Sequence, residues 1–258
     1  MRLPIAVAAV FLALTGAASA KEWKEIRIAT EGAYPPFNFF DSNNTLQGFE
    51  VDLAKALCEK MKAKCTIVAQ DWDGMIPALL AGKYDAIMAS MSITEERKQK
   101  VDFSDKYYQT PPSVAVPKDS PIDNVDPATF KGKTIGAQSS TIHANYAEEV
   151  FADAGASVKL YPTQDEANAD LASGRLDAII ADKTVLSEWL KTDNGACCKL
   201  AGDVDREANV RFFGNGVGAA VRKEDTDLKE MFNKAIAEVL ADGTYQKIRE
   251  KYFDFDIY

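Results

Sequence analysis

Two acids, an arginine and two aromatic side chains stand where this sequence could do chemistry. In the run Asp85-Ala86-Ile87-Met88-Ala89-Ser90-Met91-Ser92-Ile93-Thr94-Glu95-Glu96-Arg97, a short apolar strand passes into small polar residues and then a helix start. Ser92 and Glu95 have capping-box spacing, which would begin the helix there and leave unpaired N–H groups facing outward. Such a terminus suits an anion, and Arg97, one turn on, could hold a carboxylate through two parallel hydrogen bonds. An ordinary capped helix with a surface arginine is the plainer use of the same residues. Glu31 lies in a glycine-bounded loop beside Tyr34, and Asp182 follows the apolar run 178–181. Each acid could meet a cation. Their plainer uses are a solvated loop carboxylate and an N-cap for a helix over 184–190. Tyr34 and Trp72 sit in polar loops, where stacking on a ligand weighs about equally with packing. Against a cationic stem two such rings would contribute ~1–2 kcal/mol. Asp71 and Asp73, flanking Trp72, are expected to cap or solvate the helix that follows.

Something must position these groups. Glu25–Thr30 alternates polar and apolar as a strand does, and Gly32 with Pro35-Pro36 ends it. Leu53, Ala54, Leu57 and Met61 recur at helical spacing over 49–62, before a strand at 66–69, a short helix through Leu80 and a strand at 85–88. Alternating strand and helix imply a parallel-type α/β sheet, whose ligands bind beyond the carboxyl ends of the strands. Glu31, the residues around Trp72, and 89–92 all follow strands, so three segments converge on one sheet edge. Leu80-Ala81-Gly82-Lys83-Tyr84-Asp85-Ala86-Ile87 is echoed by Leu171-Ala172-Ser173-Gly174-Arg175-Leu176-Asp177-Ala178-Ile179, each a helix, a glycine stop and a strand. A spacing of that size fits two lobes of similar plan rather than a solenoid.

The stretch 109–112 reads as the first crossover, leading into the extended run 113–116. The second lobe continues with a strand at 134–137, the turn 138–141, a helix over 142–154 stopped by Gly155, a strand at 158–161 and a helix through Leu171. Gly214-Asn215-Gly216-Val217-Gly218 reads as the return. The helix Thr226–Ala241, with Leu228, Met231, Phe232, Ala235, Ile236 and Val239 on one face, would pack back on the first lobe. Lobe one is thus expected at 21–111 and 214–258, and lobe two at 112–213, hinged at two crossings.

Composition narrows the function. Residues 1–20 carry Arg2, an apolar run and Ala18-Ser19-Ala20, the pattern of a cleaved secretory signal, so the mature chain is expected to begin near Lys21 and to be exported. Without Arg2 the formal net charge of -9 becomes -10, and an acidic chain lacking a basic tract is a poor nucleic-acid ligand. A disulfide between Cys58 and Cys65 would staple a helix end to a strand start. The adjacent Cys197 and Cys198 leave a vicinal disulfide, two free thiols or intermolecular pairing open. With one histidine, His143, no zinc signature assembles, and no cofactor or metal is expected. The sequence has no G-x-S-x-G elbow, Walker loop, G-x-G-x-x-G or histidine-based triad, and the turn 138–141 lacks a phosphate cradle's glycine. His143 is expected to be a surface or helix-start residue.

Across nearly all of the chain after residue 20, the sequence resembles the periplasmic polar amino-acid-binding proteins of ABC transporters, nearest to the lysine/arginine/ornithine-, histidine- and octopine-binding members. The motifs that carry the resemblance are Ala29-Thr30-Glu31-Gly32-Ala33-Tyr34-Pro35-Pro36-Phe37, Gly48-Phe49-Glu50-Val51-Asp52-Leu53, Trp72-Asp73-Gly74-Met75-Ile76-Pro77, Ser90 through Arg97, Gly174-Arg175-Leu176-Asp177-Ala178, Asp242-Gly243-Thr244-Tyr245 and Lys251-Tyr252-Phe253-Asp254. The resemblance implies a two-lobed, type II periplasmic binding fold. It also implies that Arg97, with the backbone at Ser92 and Ile142, holds an α-carboxylate, and that Asp182 with Ser90 takes an α-ammonium. Tyr34 and Trp72 would sandwich the side chain, Glu31 would face its distal cation, and Cys58 would pair with Cys65. The implied protein is a periplasmic monomer serving an inner-membrane ABC permease. Three positions depart from the lysine/arginine/ornithine pattern: Glu31 replaces a shorter aspartate, Ala89 a serine, and Ile142 a threonine of the carboxylate clamp. A lost hydroxyl removes ~0.5–1.5 kcal/mol, so ligand rank order does not transfer. Glu31 and Ala89 resemble the octopine-type members, whereas Asp182 argues for a free α-ammonium. The expected ligand is a cationic L-amino acid, arginine first, then lysine, ornithine or histidine. The alternatives are an opine or other amino-acid derivative, or a cyclohexadienyl-dehydratase-like enzyme on the same scaffold.

Overall fold

The computed structural model describes residues 22–258, so the expected signal peptide and its cleavage site lie outside the described residues. Glu25–Thr30 forms a strand that buries Ile26 and Ile28 and pairs in parallel with Lys64–Ala69 on one side and Ala86–Ile87 on the other. Two further strands complete this sheet in the order Lys64–Ala69, Glu25–Thr30, Ala86–Ile87, Ala220–Val221, Asp102–Phe103. The second sheet has the same plan: Ser157–Tyr161, Thr134–Gln138, Ala178–Asp182, Pro112–Pro117, Cys198–Asp203.

Neither sheet is wholly parallel, which corrects the parallel-type reading. In each the first three strands are parallel, and the fourth runs antiparallel to both neighbours. That fourth strand is the segment arriving from the other lobe. It enters at the carboxyl ends of the parallel strands, as Pro112 opposite Asp182 and Ala220 opposite Ile87 record, and so must run the other way. The two crossings lie side by side, with Val217 N–H donating to Tyr108 O at 2.9 Å and Tyr107 N–H to Val217 O at 2.9 Å. Gly214, φ +62°, passes so close to Ile93 that a Cβ would sit 2.1 Å from its carbonyl oxygen, so only glycine fits.

Helix Phe49–Met61 and helix Thr226–Ala241 share one core with the first sheet. Leu53 and Leu57 meet Leu228, Phe232, Ala235, Ile236 and Val239 above Ile26 and Ile28. Each fully buried Leu, Ile or Phe contributes ~1.5–3 kcal/mol, which holds the last long helix to sequence-distant strands. A Cys58–Cys65 disulfide joins helix to strand. Cys197 and Cys198 are both free, the first exposed and the second buried. Burial pushes the Cys198 thiol up to about 12, so it stays protonated at neutral pH. The helix expected over 142–154 is α-helical only at Ile142–Tyr146 and continues in wider π-type turns at Ala147–Phe151. Among the described residues no helix is long and apolar enough to cross a membrane.

Candidate functional site

After the strand Ala86–Ile87 the chain carries Ser90 in the left-handed region, φ +55°. A non-glycine residue persists there only when its surroundings hold it. The holder is Glu50, a buried acid in the first turn of helix Phe49–Met61. Its carboxylate accepts from Ser90 N–H at 2.7 Å, Ser90 Oγ at 3.1 Å, Asn38 Nδ2 at 2.8 Å and the Tyr107 hydroxyl at 2.5 Å. Burial raises the Glu50 carboxyl, and these donors oppose the rise.

The expected capping box at Ser92 does not form. Ser92 instead faces Val217 in an antiparallel bridge, and the helix Glu95–Lys98 is capped by Thr94, whose Oγ1 accepts from Arg97 N–H at 3.2 Å. The bridge's hydrogen bonds belong to neighbours, Ile93 N–H to Gly216 O and Gly218 N–H to Met91 O. Ser92's own N–H and carbonyl are therefore turned away from Val217. Arg97 donates to that carbonyl at 3.0 Å, with its guanidinium 5.3 Å from the Trp72 ring centre. One face of the indole is thus occupied. Burial lowers Arg97 to about 10, still cationic at neutral pH.

Across the cleft, Asp182 ends the strand Ala178–Asp182 and holds the N-cap position of helix Lys183–Leu190, yet it makes no side-chain cap. Its Oδ2 accepts from the Tyr34 hydroxyl at 2.8 Å and its Oδ1 from Thr110 Oγ1 at 2.7 Å. Ile142 opens its helix, and its N–H has no carbonyl partner inside that helix. Thr141, one residue before Ile142, spends its hydroxyl on the helix start, accepting from Ala144 N–H at 3.0 Å and donating to Gln138 O at 2.7 Å. His143 stands at the helix start, in the first turn of Ile142–Tyr146, and is buried there rather than on the surface; burial lowers its pKa.

Glu31 is the second acid of the site. Gln138, from the second sheet, donates to its Oε1 at 2.6 Å, and burial raises the Glu31 carboxyl to about 7. Asp73 does not cap its helix but accepts from Ser139 Oγ at 3.0 Å across the cleft. Trp72 Nε1 donates to Ser140 O at 3.3 Å. With Tyr34–Asp182 and Gln138–Glu31, these contacts hold the two sheets' loops closed on each other.

One cavity of about 310 Å³ is lined by Glu31, Tyr34, Trp72, Ser90, Ser92, Arg97, Ile142 and Asp182, together with Ala89, Gln138, Thr141 and His143. Its lining carries one arginine, Arg97, and two acids, Glu31 and Asp182, the second of them between two hydroxyls. Glu50 and Gln138 escaped the sequence reading. Glu50 could have been found, because it shares the stripe of Leu53, Ala54 and Leu57 at i+3, i+4 and i+7. Among the described residues no group of three or more His, Cys, Asp or Glu could hold a metal ion.

Two sheets joined by paired crossings around a polar, charge-lined cleft define a two-lobed α/β binding protein. Residues 26–255 match the bacterial extracellular solute-binding proteins, family 3, and the chain belongs to that family. It is 45% identical over 237 residues to the L-arginine-binding protein of Pseudomonas aeruginosa, covering 91% of this chain and 90% of that one. It is 41% identical over 235 residues to the lysine/arginine/ornithine-binding periplasmic protein of Escherichia coli, covering 90% and 89%. An ancestral arginine-binding protein bound to arginine superposes with a TM-score of 0.82 at 40% identity, covering 89% of this chain and 98% of that one.

Proposed function

We propose that the solute is a cationic L-amino acid, arginine first, with lysine, ornithine and histidine behind it. The observation that carries this is one cavity lined by a cation, Arg97, and two acids, Asp182 and Glu31. An α-amino acid with a cationic side chain presents the complementary three charges. Arg97 and the N–H groups of Ser92 and Ile142 receive the α-carboxylate, Asp182 and the lone pairs of Ser90 Oγ the α-ammonium, and Glu31 the distal cation. Tyr34 and Trp72 flank the stem. A desolvated pair at Glu31 contributes ~1.5–3 kcal/mol, a roughly ten- to hundred-fold preference over a neutral isostere. The arginine-binding relatives support arginine as the first candidate.

In this reading the chain works in the periplasm as a monomer and delivers its ligand to an inner-membrane ABC permease. The lobes are 21–111 with 214–258, and 112–213, and they close on the ligand about the two crossings. Calorimetry with arginine, lysine, ornithine, histidine and glutamine tests it. Arginine should bind tightest, and tight binding of glutamine with none of arginine would overturn the charge argument.

A second reading, an Nα-substituted derivative such as octopine, is favoured by a second small pocket that shares Ser92, Ile142, His143 and Asp182 with the first and adds Thr110 and Arg206. Adding octopine to the panel decides between them. A dehydratase role has only the shared scaffold behind it, and turnover of arogenate or prephenate is its test.

A further inference from the structure

His143 is 4% exposed, and its Nε2 is buried without a hydrogen-bond partner. The imidazole lines the same cavity as Asp182, and Nε2 stands 3.9 Å from Asp182 Oδ1. That distance is too long for a hydrogen bond between them. A buried polar atom left orphaned is costly, and here it borders a space where a charged group is proposed to sit.

An ammonium has three N–H donors, and the α-ammonium site described above offers two acceptors, Asp182 and Ser90 Oγ. We infer that His143 Nε2 is the third acceptor, which makes His143 a residue that selects a primary α-ammonium. This deepens the proposed amino-acid reading and rests on it. The geometry allows it: a nitrogen about 2.9 Å from both Nε2 and Asp182 Oδ1 would subtend roughly 84° between them, bent from the tetrahedral angle but within hydrogen-bond tolerance. The imidazole then carries its proton on Nδ1 and is neutral.

The surroundings favour the neutral ring. Burial and the nearby Arg97 lower its proton affinity, and Asp182 alone raises it. Arg206, which lines the second pocket with His143, adds another cation on that side and spends one guanidinium nitrogen on the carbonyls of Phe213 and Gly214. The Phe213 ring, 6.1 Å from the imidazole centre, offers no acceptor. A protonated ring would present a donor to the ligand's ammonium, so binding weakens as His143 takes up a proton.

The selection follows from the donor count. A ligand whose α-nitrogen bears one methyl group has one donor fewer and leaves one of the three acceptors unpaired in a dry site. The experiment is calorimetry of wild type, His143→Gln, His143→Leu and His143→Ala with L-arginine and Nα-methyl-L-arginine, each from pH 5 to 8, with melting curves to establish folding. Wild type should prefer arginine by roughly ten-fold or more, the scale of one hydrogen bond to a charged group. His143→Leu should lose ten- to hundred-fold for arginine, much less for the methylated ligand, and lose the acid-side fall that belongs to the imidazole. His143→Gln, which keeps an acceptor near the Nε2 position, should recover part of the loss. Should His143→Ala or His143→Leu not fold, the contrast between His143→Gln and wild type in selectivity and pH profile decides. Unchanged arginine affinity, selectivity and pH profile in any folded variant lacking the imidazole overturns the inference alone. Failure of wild type to bind any amino acid of the panel overturns the underlying reading instead.

Discussion

The two echoed junctions of this chain use the same backbone plan with inverted chemistry. In the first sheet, the strand Ala86–Ile87 leads to a hydroxyl residue, Ser90, and the acid stands behind it as Glu50. In the second, the strand Ala178–Asp182 ends on the acid itself, and hydroxyls stand around it, Tyr34 and Thr110. Glu50 is buried and its donors all come from its own side of the cleft. Asp182 is half-buried, and one of its donors, Tyr34, reaches it from across the cleft. The difference separates two tasks that a carboxylate can perform at a strand end. One fixes a left-handed turn from within its own lobe, and the other takes a donor from the opposite lobe, so in the proposed closure it is completed only when the lobes meet.

The largest effect expected from breaking this contrast is on stability. Glu50→Ala strands the buried donors of Ser90, Asn38 and Tyr107 and releases the left-handed turn, so about 3–4 kcal/mol should be lost. At roughly 2–4 °C per kcal/mol for a chain of this size, the melting temperature should fall by about 6–16 °C. A shift under 2 °C would mean that Glu50 does not anchor the turn. Asp182→Asn should do the opposite: asparagine can still accept a hydroxyl proton, so the melt moves little, while arginine affinity falls on the order of a hundred-fold with the loss of the charge. Equal melting losses in the two variants would erase the distinction.

Much of this was legible beforehand, for identifiable reasons. Glu25–Thr30 and Thr226–Ala241 appear with the bounds read from the sequence, because alternation and the 3.6-residue stripe are local signals. Glu31, Trp72 and Ser90 were legible because each follows a strand and the three strands share one edge, whereas Gln138, which lines the same cavity, was not. The misreadings arose where a distant segment overrides a local pattern. Ser92 has capping-box spacing, but Val217 from the return crossing claims it for a bridge, leaving Thr94 to cap. His143 sits beside a Ser/Thr turn that reads as surface, and residues as distant as Asp182 and Phe213 lie beside it. Glu50 reads as a helpful charge at a helix start, and only its place on the apolar stripe betrays its burial.

A third expectation concerns the acid that neither junction supplies. The Glu31 carboxyl is raised to about 7 by burial. A cationic side chain needs the carboxylate, so binding must expel a proton wherever Glu31 is protonated. Affinity for arginine should therefore be flat above about pH 7 and fall by up to tenfold per unit below it, with proton release on binding seen as a buffer-dependent calorimetric heat. Glu31→Gln should flatten that part of the profile. A wild-type profile unchanged down to pH 5.5 would show that Glu31 does not meet the cation.

The smallest effect tests closure itself. Asp73 accepts from Ser139 Oγ at 3.0 Å, a contact at the exposed rim that joins the two lobes without touching the cavity. Exposed, and made between one hydroxyl and one carboxylate, it should contribute about 0.5–1 kcal/mol. If the ligand binds the closed form, the apparent Kd rises as the closed fraction falls, so Ser139→Ala should weaken arginine two- to five-fold and slow nothing in the encounter. The loss should appear as faster dissociation. Asp73→Ala should weaken binding similarly, and the double variant should lose no more than either alone, because both remove one contact. Losses that add in the double variant would place Ser139 and Asp73 in separate roles and remove this rim contact from the closure that distinguishes Asp182 from Glu50.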